Sequence, residues 1–408
     1  VPVQRVLMKG DKGDEDGEKE YQVTTQWTMN DLEKVGMLKM DFLGLRTLTL
    51  LDKAIRLIEQ HRQIKIDIHQ LPLDDEATYK LLQSGRTQGV FQFESEGIRG
   101  LLRSLKPDNI RDIIASTALY RPGPLKGGMA DTYINRKDGR EQPTYEHPIM
   151  KEVLEETHGV MVYQEQVMRI LNRLGGIELS SAYACIKAIS KKKTDVIDQR
   201  RAEFIQGAVQ RGIKKETAEH IFEQIVVFGG YGFNKSHSAA YALVSYQTAY
   251  LKAHYPAEFM AAVLTSELGD TDKIAEHVRN TKEMHLEVLP PDINSSEADF
   301  TVPSEKAIRF GLVAIRGLGR KAAEALVAER EKHGPYRDLF ELCERVDARL
   351  VPRSALETLI KAGALDGLAP EGNRAALLIA LPGAVQEAQS LQEDKKHGQG
   401  SICDLLDD

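Results

Sequence analysis

Eight consecutive residues, Tyr231-Gly232-Phe233-Asn234-Lys235-Ser236-His237-Ser238, put amide, ammonium, hydroxyl and imidazole groups into one short stretch. They come just before an Ala-rich run, starting near Ala239, that reads as a helix. The donors therefore gather at a helix N-terminus, where free backbone N–H groups and the macrodipole already favour an anion. The chemistry this predicts is phosphate binding by Asn234, Lys235, Ser236 and His237. A plainer reading, a helix capped by Ser236 or Ser238 with Asn234 in the turn, leaves Lys235 and His237 without a task. Between Lys187 and Lys215 lie nine basic residues, Lys187, Lys191, Lys192 and Lys193 among them, against three acidic ones, a local positive patch in a chain of formal charge -7. The plain alternative there is a solvated helix face. Arg121-Pro122-Gly123-Pro124 is a rigid turn that holds an arginine at the end of a predicted helix. It reads alone as a loop with a snorkelling arginine, and beside the other two clusters as a third phosphate clamp.

Asp41 lies between apolar neighbours in Met37-Leu38-Lys39-Met40-Asp41-Phe42-Leu43, a run that alternates like a strand and puts Lys39 and Asp41 on one face. A carboxylate there calls for a metal, a base or a lysine, and Lys39 would serve as an ordinary ion-pair partner. A two-metal phosphoryl-transfer centre needs further carboxylates from other strands. Asp14-Glu15-Asp16 has suitable spacing but sits in a Gly-rich charged loop, and Asp67 lies in a separate short run.

Ile315-Arg316-Gly317-Leu318-Gly319-Arg320-Lys321-Ala322-Ala323 resembles a helix-hairpin-helix motif. Gly317 and Gly319 would let the backbone approach a DNA phosphate, amides of the next helix would donate to it, and Arg320 and Lys321 would add charge. An ordinary tight turn between helices is the alternative. A degenerate second copy lies near Lys361-Ala362-Gly363-Ala364-Leu365.

Several elements must position these residues. Asn30 or Asp31 is expected to cap a short helix through Val35 that Gly36 ends. Leu45, Leu48, Leu51, Ile55 and Ile58 keep a helical period to about His61. Mostly helical pattern continues to about residue 265, punctuated by Pro and Gly. Pro290-Pro291 opens a connector, Ile308 to Val313 reads as a short strand, and a compact helical segment runs to about Ala369. Beyond Gln386 the chain is polar until the apolar island Ser401 to Leu406, which reads as a linker or docking peptide.

With 408 residues, 42% of them hydrophobic and 28% charged, the chain is predicted to form two or three soluble domains, neither a disulfide-stapled miniprotein nor a disordered or membrane chain. Cys185, Cys343 and Cys403 stand alone, which argues against a structural metal and for a reducing compartment, read as the cytoplasm. The chain opens on Val1-Pro2-Val3 with no basic-then-apolar leader, so neither a signal peptide nor a native start is expected and it reads as a fragment.

Five motifs in this order are similar to the bacterial family-C replicative DNA polymerases, the DNA polymerase III alpha subunits. They are Lys39-Met40-Asp41-Phe42-Leu43-Gly44-Leu45, Gly89-Val90-Phe91-Gln92-Phe93-Glu94, Tyr120 to Pro124, His158-Gly159-Val160-Met161-Val162-Tyr163-Gln164-Glu165-Gln166 and Gly230 to Tyr241. The resemblance covers residues 21 to about 370. It implies a mainly α, multidomain protein with a small α+β palm remnant, helical fingers and a helix-hairpin-helix domain. The implied bounds are 1–46 for the end of the palm, 47–290 for the fingers, 291–370 for the duplex-DNA-binding region and 371–408 for a linker with a degenerate clamp-binding tail. Asp41 would be the third of three carboxylates around two Mg²⁺ ions, its partners lying upstream, so the chain alone is expected to be inactive. Arg121, Lys187, Lys191, Asn234, Lys235, Ser236 and His237 would surround an incoming deoxynucleoside triphosphate. Gly317, Gly319, Arg320 and Lys321 would hold primer-template DNA. The implied activity is DNA-directed DNA polymerisation, and the implied partners include the sliding clamp and other replicase subunits, with no membrane. A non-catalytic DNA- and nucleotide-binding module is the alternative. Where many relatives carry paired arginines and a glycine, this chain has Ile186-Lys187 and Ser190, and lysine does not reproduce the bidentate fork of arginine. Cys403 stands where relatives' clamp peptide ends in an aromatic residue.

Overall fold

The computed structural model describes residues 1–7, 21–40 and 44–396, and the chain divides into two compact units, Val1–Arg46 and Thr47–Asp408. In the first unit β1 (Val3–Leu7) and β2 (Tyr21–Thr25) pair antiparallel, Val3 opposite Thr25 and Leu7 opposite Tyr21. Helix α1 (Met29–Lys34) starts earlier than expected because Thr28 is its cap, accepting from the Asp31 N–H, and Gly36, at φ +83°, follows its end. Residues 37–40 form no strand, contrary to the alternation in their sequence. Asp41, like Asp14-Glu15-Asp16 and the tail from 397 to 408 with Cys403, lies outside the described residues.

The second unit is helical except for one small sheet. Helix α2 (Arg46–Arg62) buries Leu51 and Ile58, as its period predicts, together with Ala54, while Ile55 is half-buried and Leu48 in its first turn stays exposed. Next come α3 (Glu76–Ser84), α4 (Glu96–Leu105), α5 (Ile110–Leu119), the short α6 (Pro122–Lys126) and α7 (Met129–Lys137). Beyond α8 (Pro148–Leu154), helices α9 (Gln164–Gly175), α10 (Leu179–Ser190), α11 (Thr194–Gln210) and α12 (Lys215–Gly229) share one core around Leu171, Phe204 and Phe222. Helices α9 and α11 touch backbone to backbone: a Cβ on Gly207 would stand 1.8 Å from the Gly175 carbonyl oxygen.

Helix α13 (Lys235–His254) is the spine of this unit, with α14 (Pro256–Ser266) and α15 (Thr271–Glu283) after it. It packs against α3 and α5 through Ala242, Tyr246 and Ala249. Its buried polar side chains fasten the loop before α4. Ser245 Oγ donates to the Phe91 carbonyl at 2.9 Å, Thr248 Oγ1 accepts from the Phe91 N–H at 3.1 Å, and Lys252 Nζ donates to the Gln88 carbonyl at 2.6 Å. Burial pulls Lys252 down to about 7. The unfolded chain then binds the extra proton between that value and the ordinary lysine pKa of about 10.4, so this group's contribution to stability is flat below about 7 and rises with pH above it. Urea unfolding of the chain and of Lys252→Met across this window is expected to diverge by up to about 1.4 kcal/mol per pH unit in favour of the lysine protein. Parallel curves would refute the shift.

The sheet has the order β3-β5-β4, where β3 is Glu287–Leu289, β4 Thr301–Ser304 and β5 Ala307–Arg309. β5 runs parallel to β3 and antiparallel to β4. The strand expected at Ile308–Val313 therefore ends at Arg309. Gly311 lies so close to the Asp299–Phe300 backbone that a Cβ there would stand 2.5 Å from the Asp299 carbonyl carbon. Val302 and Ile308 of the sheet, with Phe300 just before β4, share a core with α2 and α14. The last core joins α16 (Arg320–His333), α17 (Leu339–Arg345), α18 (Arg353–Ala362) and α19 (Arg374–Lys396). Residues 374–396, expected as linker, are thus helical, with Leu377, Leu381, Ala384 and Ala388 in that core. No helix among the described residues is long and apolar enough to cross a membrane.

Candidate functional site

Helix α5 ends at Leu119, and Pro122 starts α6 with Arg121 as its extended N-cap, φ -140°. The expected rigid turn is thus a helix start, pre-set by proline. Gly123 lets the Tyr231 ring lie against it, since a Cβ there would stand 2.3 Å from Tyr231 Cδ1. The Arg121 guanidinium donates through Nε to the Ala118 carbonyl at 3.0 Å and through Nη2 to the Tyr231 carbonyl, and stacks 4.4 Å from the centre of the Phe233 ring. It lines a cavity of about 320 Å³ with Gln92, Phe93, Tyr120, His237 and Tyr241. Arg121 is half-buried, its pKa is lowered by burial, and no carboxylate among the described residues pairs with it. A partly desolvated cation without a counter-charge is a site that favours an anion.

Helix α13 begins at Lys235, four residues before the Ala-rich run, because Asn234 is its cap: Oδ1 accepts from the His237 N–H at 2.8 Å and from Ser236 Oγ at 2.9 Å. The His237 ring stacks on Tyr241 at 4.3 Å and meets the edge of Phe233 at 5.3 Å. Ser238 Oγ, buried on the cavity wall, has no hydrogen-bond partner. Lys235 turns elsewhere. Its Nζ is held by both oxygens of Glu156, at 2.8 and 2.6 Å, and its backbone N–H by both oxygens of Glu165, at 3.1 and 3.0 Å. Lys235, Ser236, Glu156, Glu165 and the exposed Arg169 line a different hollow of about 310 Å³. The predicted donor cluster is therefore split: His237 joins Arg121 at the first cavity, and Lys235 and Ser236 line the second, the lysine with its charge already compensated by Glu156.

Lys187 lies 4.6 Å from the Tyr183 ring at the end of α10, Lys191 caps that helix, and Lys193 precedes α11. These lysines and Lys192 are exposed and have no acidic partner among the described residues. Arg200, by contrast, pairs with Glu203, and Arg201 with Glu223 at 3.6 Å. The end of α10 packs against the end of α12, because a Cβ on Gly229 would meet Ile189 at 2.6 Å.

At the hairpin, Gly317 has φ +90°, Leu318 is buried and Gly319 is the N-cap of α16 with no side-chain cap. A Cβ on Gly319 would meet nothing within 4 Å, and the first amides of α16 receive no side-chain cap from it. Arg320 is held by Asp299 at 2.7 Å and Glu324 at 3.4 Å, whereas Arg316 and Lys321 are exposed and have no such partner among the described residues. The degenerate second copy is a helix stop. Gly363, at φ +82°, ends α18, and Arg374 lies over it, held by both Asp366 oxygens at 2.7 Å.

Residue types alone did not reveal Glu156, Glu165, Phe233 or the orphaned Ser238 hydroxyl as parts of the site. All four lie inside quoted motifs or beside them, and only packing brings the carboxylates to Lys235. Among the described residues no group of three or more His, Cys, Asp or Glu side chains could hold a metal ion.

Residues 47–212 match a family model described as the bacterial DNA polymerase III alpha subunit finger domain, and residues 285–377 match one for a helix-hairpin-helix motif. Over 386 residues the chain is 45% identical to the DNA polymerase III subunit alpha of Thermus aquaticus, covering 93% of the chain and 31% of that protein. To that of Aquifex aeolicus it is 48% identical over 349 residues, 86% of the chain and 30% of the relative. To that of Escherichia coli K12 it is 45% identical over 391 residues, 94% and 34%. The chain spans about a third of the length of the curated relatives it matches.

Proposed function

We infer the function of this chain from its membership of the bacterial DNA polymerase III alpha-subunit family, whose finger and helix-hairpin-helix regions it carries. It forms the nucleotide-accepting and duplex-holding part of a DNA-directed DNA polymerase, in which a primer 3′-hydroxyl attacks the α-phosphate of a deoxynucleoside triphosphate and pyrophosphate leaves. Residues 1–46 are assigned to the palm end, 47–290 to the fingers and 291–370 to the hairpin region. The single observation that carries the nucleotide assignment is Arg121, half-buried at the cavity with no carboxylate to neutralise it.

In this reading the chain's own residues bind and orient. Arg121 presents its remaining N–H donors to a phosphate oxygen while the Tyr231 carbonyl and Phe233 ring hold the guanidinium plane. His237 and Tyr241 wall the cavity, Ser238 Oγ offers a buried hydroxyl, and Lys187, Lys191, Lys192 and Lys193 add positive potential nearby. Asn234 acts by capping α13. Lys235 and Ser236, bound to Glu156 and Asn234, are structural members of the turn. Mg²⁺ would supply charge neutralisation on the phosphates and is assigned to Asp41 by resemblance alone. Primer-template DNA is the partner of the hairpin. Association with the sliding clamp and other replicase subunits is carried by resemblance, the tail peptide lying outside the described residues. Primer extension by the full-length protein with Arg121 replaced tests the assignment.

The hairpin gives a second expectation. Each phosphate contact contributes about 0.9 to the slope of log affinity against log salt. Lys321→Ala and Arg316→Ala are each expected to flatten that slope by about one unit in duplex-binding titrations. Arg320→Ala, whose guanidinium is engaged by Asp299 and Glu324, is expected to change it less. If Arg320→Ala were the only variant to lower the slope, the assignment of charges at the hairpin would be wrong.

A further inference from the structure

Helices α9 and α13 start side by side from one short ladder. The Gln164 N–H donates to the Phe233 carbonyl at 2.9 Å and the Phe233 N–H to the Val162 carbonyl at 3.3 Å, a parallel bridge between Tyr163 and Phe233. Glu165, the second residue of α9, reaches across the gap. Its Oε1 accepts from the Lys235 N–H at 3.1 Å and from Asn234 Nδ2 at 3.0 Å, and its Oε2 accepts from the same Lys235 N–H at 3.0 Å. The carboxylate thus sits at the positive ends of two helices and fills the place an external anion would take at the start of α13.

The Asn234 contact has a directional consequence. With its NH₂ held by Glu165, the amide must point its oxygen at the His237 N–H and Ser236 Oγ, which is the orientation that caps α13. His237 then lies against Tyr241 and Phe233, and Phe233 in turn carries the Arg121 guanidinium. A chain of contacts therefore runs from Glu165 through the Asn234 amide to His237, and through the Phe233 bridge to Arg121. Lys235, meanwhile, is drawn off to Glu156 and the Tyr163 ring.

We propose that Glu165 is a positioning residue for the nucleotide cavity: by filling the anion seat at the start of α13 and fixing the Asn234 amide, it sets His237 and Phe233, and triphosphate is met from the Arg121 side of the turn and not by Lys235. The proposal rests on the nucleotide reading above. It makes Glu165 neither a metal ligand nor a base, and its oxygens act only as acceptors.

The test is steady-state nucleotide incorporation by the full-length polymerase carrying this segment, with KM for the deoxynucleotide and kcat measured separately. Glu165→Ala is expected to raise KM about tenfold or more while kcat changes less, because charge-assisted hydrogen bonds of this kind are lost. Glu165→Gln is expected to stay within about threefold of the parent, since a single Oε1 already accepts from both Asn234 and Lys235 and an amide oxygen can replace it. Formate, small enough for the vacated seat, is expected to lower the KM of Glu165→Ala and to leave the parent unaffected. A KM that falls in Glu165→Ala would show the carboxylate to be a competitor of substrate phosphate and would overturn the proposal. So would a lowered melting temperature with KM unchanged. Should Glu165→Ala fail to fold, Glu165→Asp, with a carboxylate one methylene short, is read by the same criteria. Arg121→Ala serves as reference. If it too leaves KM unchanged, the cavity is not the nucleotide site; if it raises KM and the Glu165 variants do not, this proposal alone falls.

Discussion

Arg121→Ala is expected to lower kcat/KM for the incoming nucleotide about 100-fold in the full-length polymerase, which corresponds to about 2.7 kcal/mol of lost transition-state stabilisation. The magnitude follows from the environment. A hydrogen bond to a charged group contributes about 1.5–3 kcal/mol, and this guanidinium is half-buried, placed over the Phe233 ring and unopposed by any carboxylate among the described residues. Alanine also releases the Tyr231 carbonyl, and with it the loop that delivers Phe233. Arg121→Lys keeps the charge and loses the planar fork and its ring stacking, so an intermediate loss of about tenfold is expected. Both are read by single-nucleotide primer extension over a range of nucleotide concentrations, with thermal unfolding as the control for folding. An Arg121→Ala protein with parental KM and kcat would remove the observation on which the functional reading stands.

The largest effect on stability is expected from Glu258→Ala, about 3–5 kcal/mol. Glu258 is fully buried in α14 and holds the end of α2. Arg62 Nε donates to its Oε1 at 2.6 Å, and His61 Nδ1 lies 2.6 Å from the same oxygen. Removing the carboxylate leaves the arginine with Glu305, an exposed carboxylate, and the Tyr255 ring 6.0 Å away. Glu258→Gln, which retains an acceptor for Arg62, is expected to cost less. The hydrogen bonds from Arg62 and His61 outweigh burial and hold the Glu258 carboxyl below its ordinary value. Its contribution is therefore present above the ordinary glutamate pKa and lost as pH falls through the folded one. Urea midpoints of the parent and variant proteins should accordingly converge in acid. Equal midpoints at neutral pH would rule out the structural role.

Part of this organisation is legible in the residue order. The period of Leu51, Ile55 and Ile58 marks α2, although Leu48, in the opening turn of the helix, stays exposed. The start of α13 is misplaced by composition, since alanines advertise helix propensity while a side-chain amide at Asn234 decides where the helix begins. Helix α19 is hidden for a similar reason. Pro382 and Gly383 look like a break, although Leu377, Leu381, Ala384 and Ala388 keep helical spacing and the proline is accommodated inside the helix.

What the amino-acid order determined by itself is local: the runs of donors, the glycines at positive φ, the helical periods, and the presence of Arg121, His237, Lys235 and Arg320 near predicted chain turns. What only the tertiary structure decided is which of those cations is free. Lys235 is neutralised by Glu156, 79 residues away, and Arg320 by Asp299, 21 residues away, while among the described residues Arg121 meets carbonyls and an aromatic ring and no carboxylate. Charge pairing depends on distance in space, and the low-dielectric interior makes a pair or its absence decisive over a few ångströms. Spacing along the chain carries no record of which carboxylate the folded chain will deliver to Lys235.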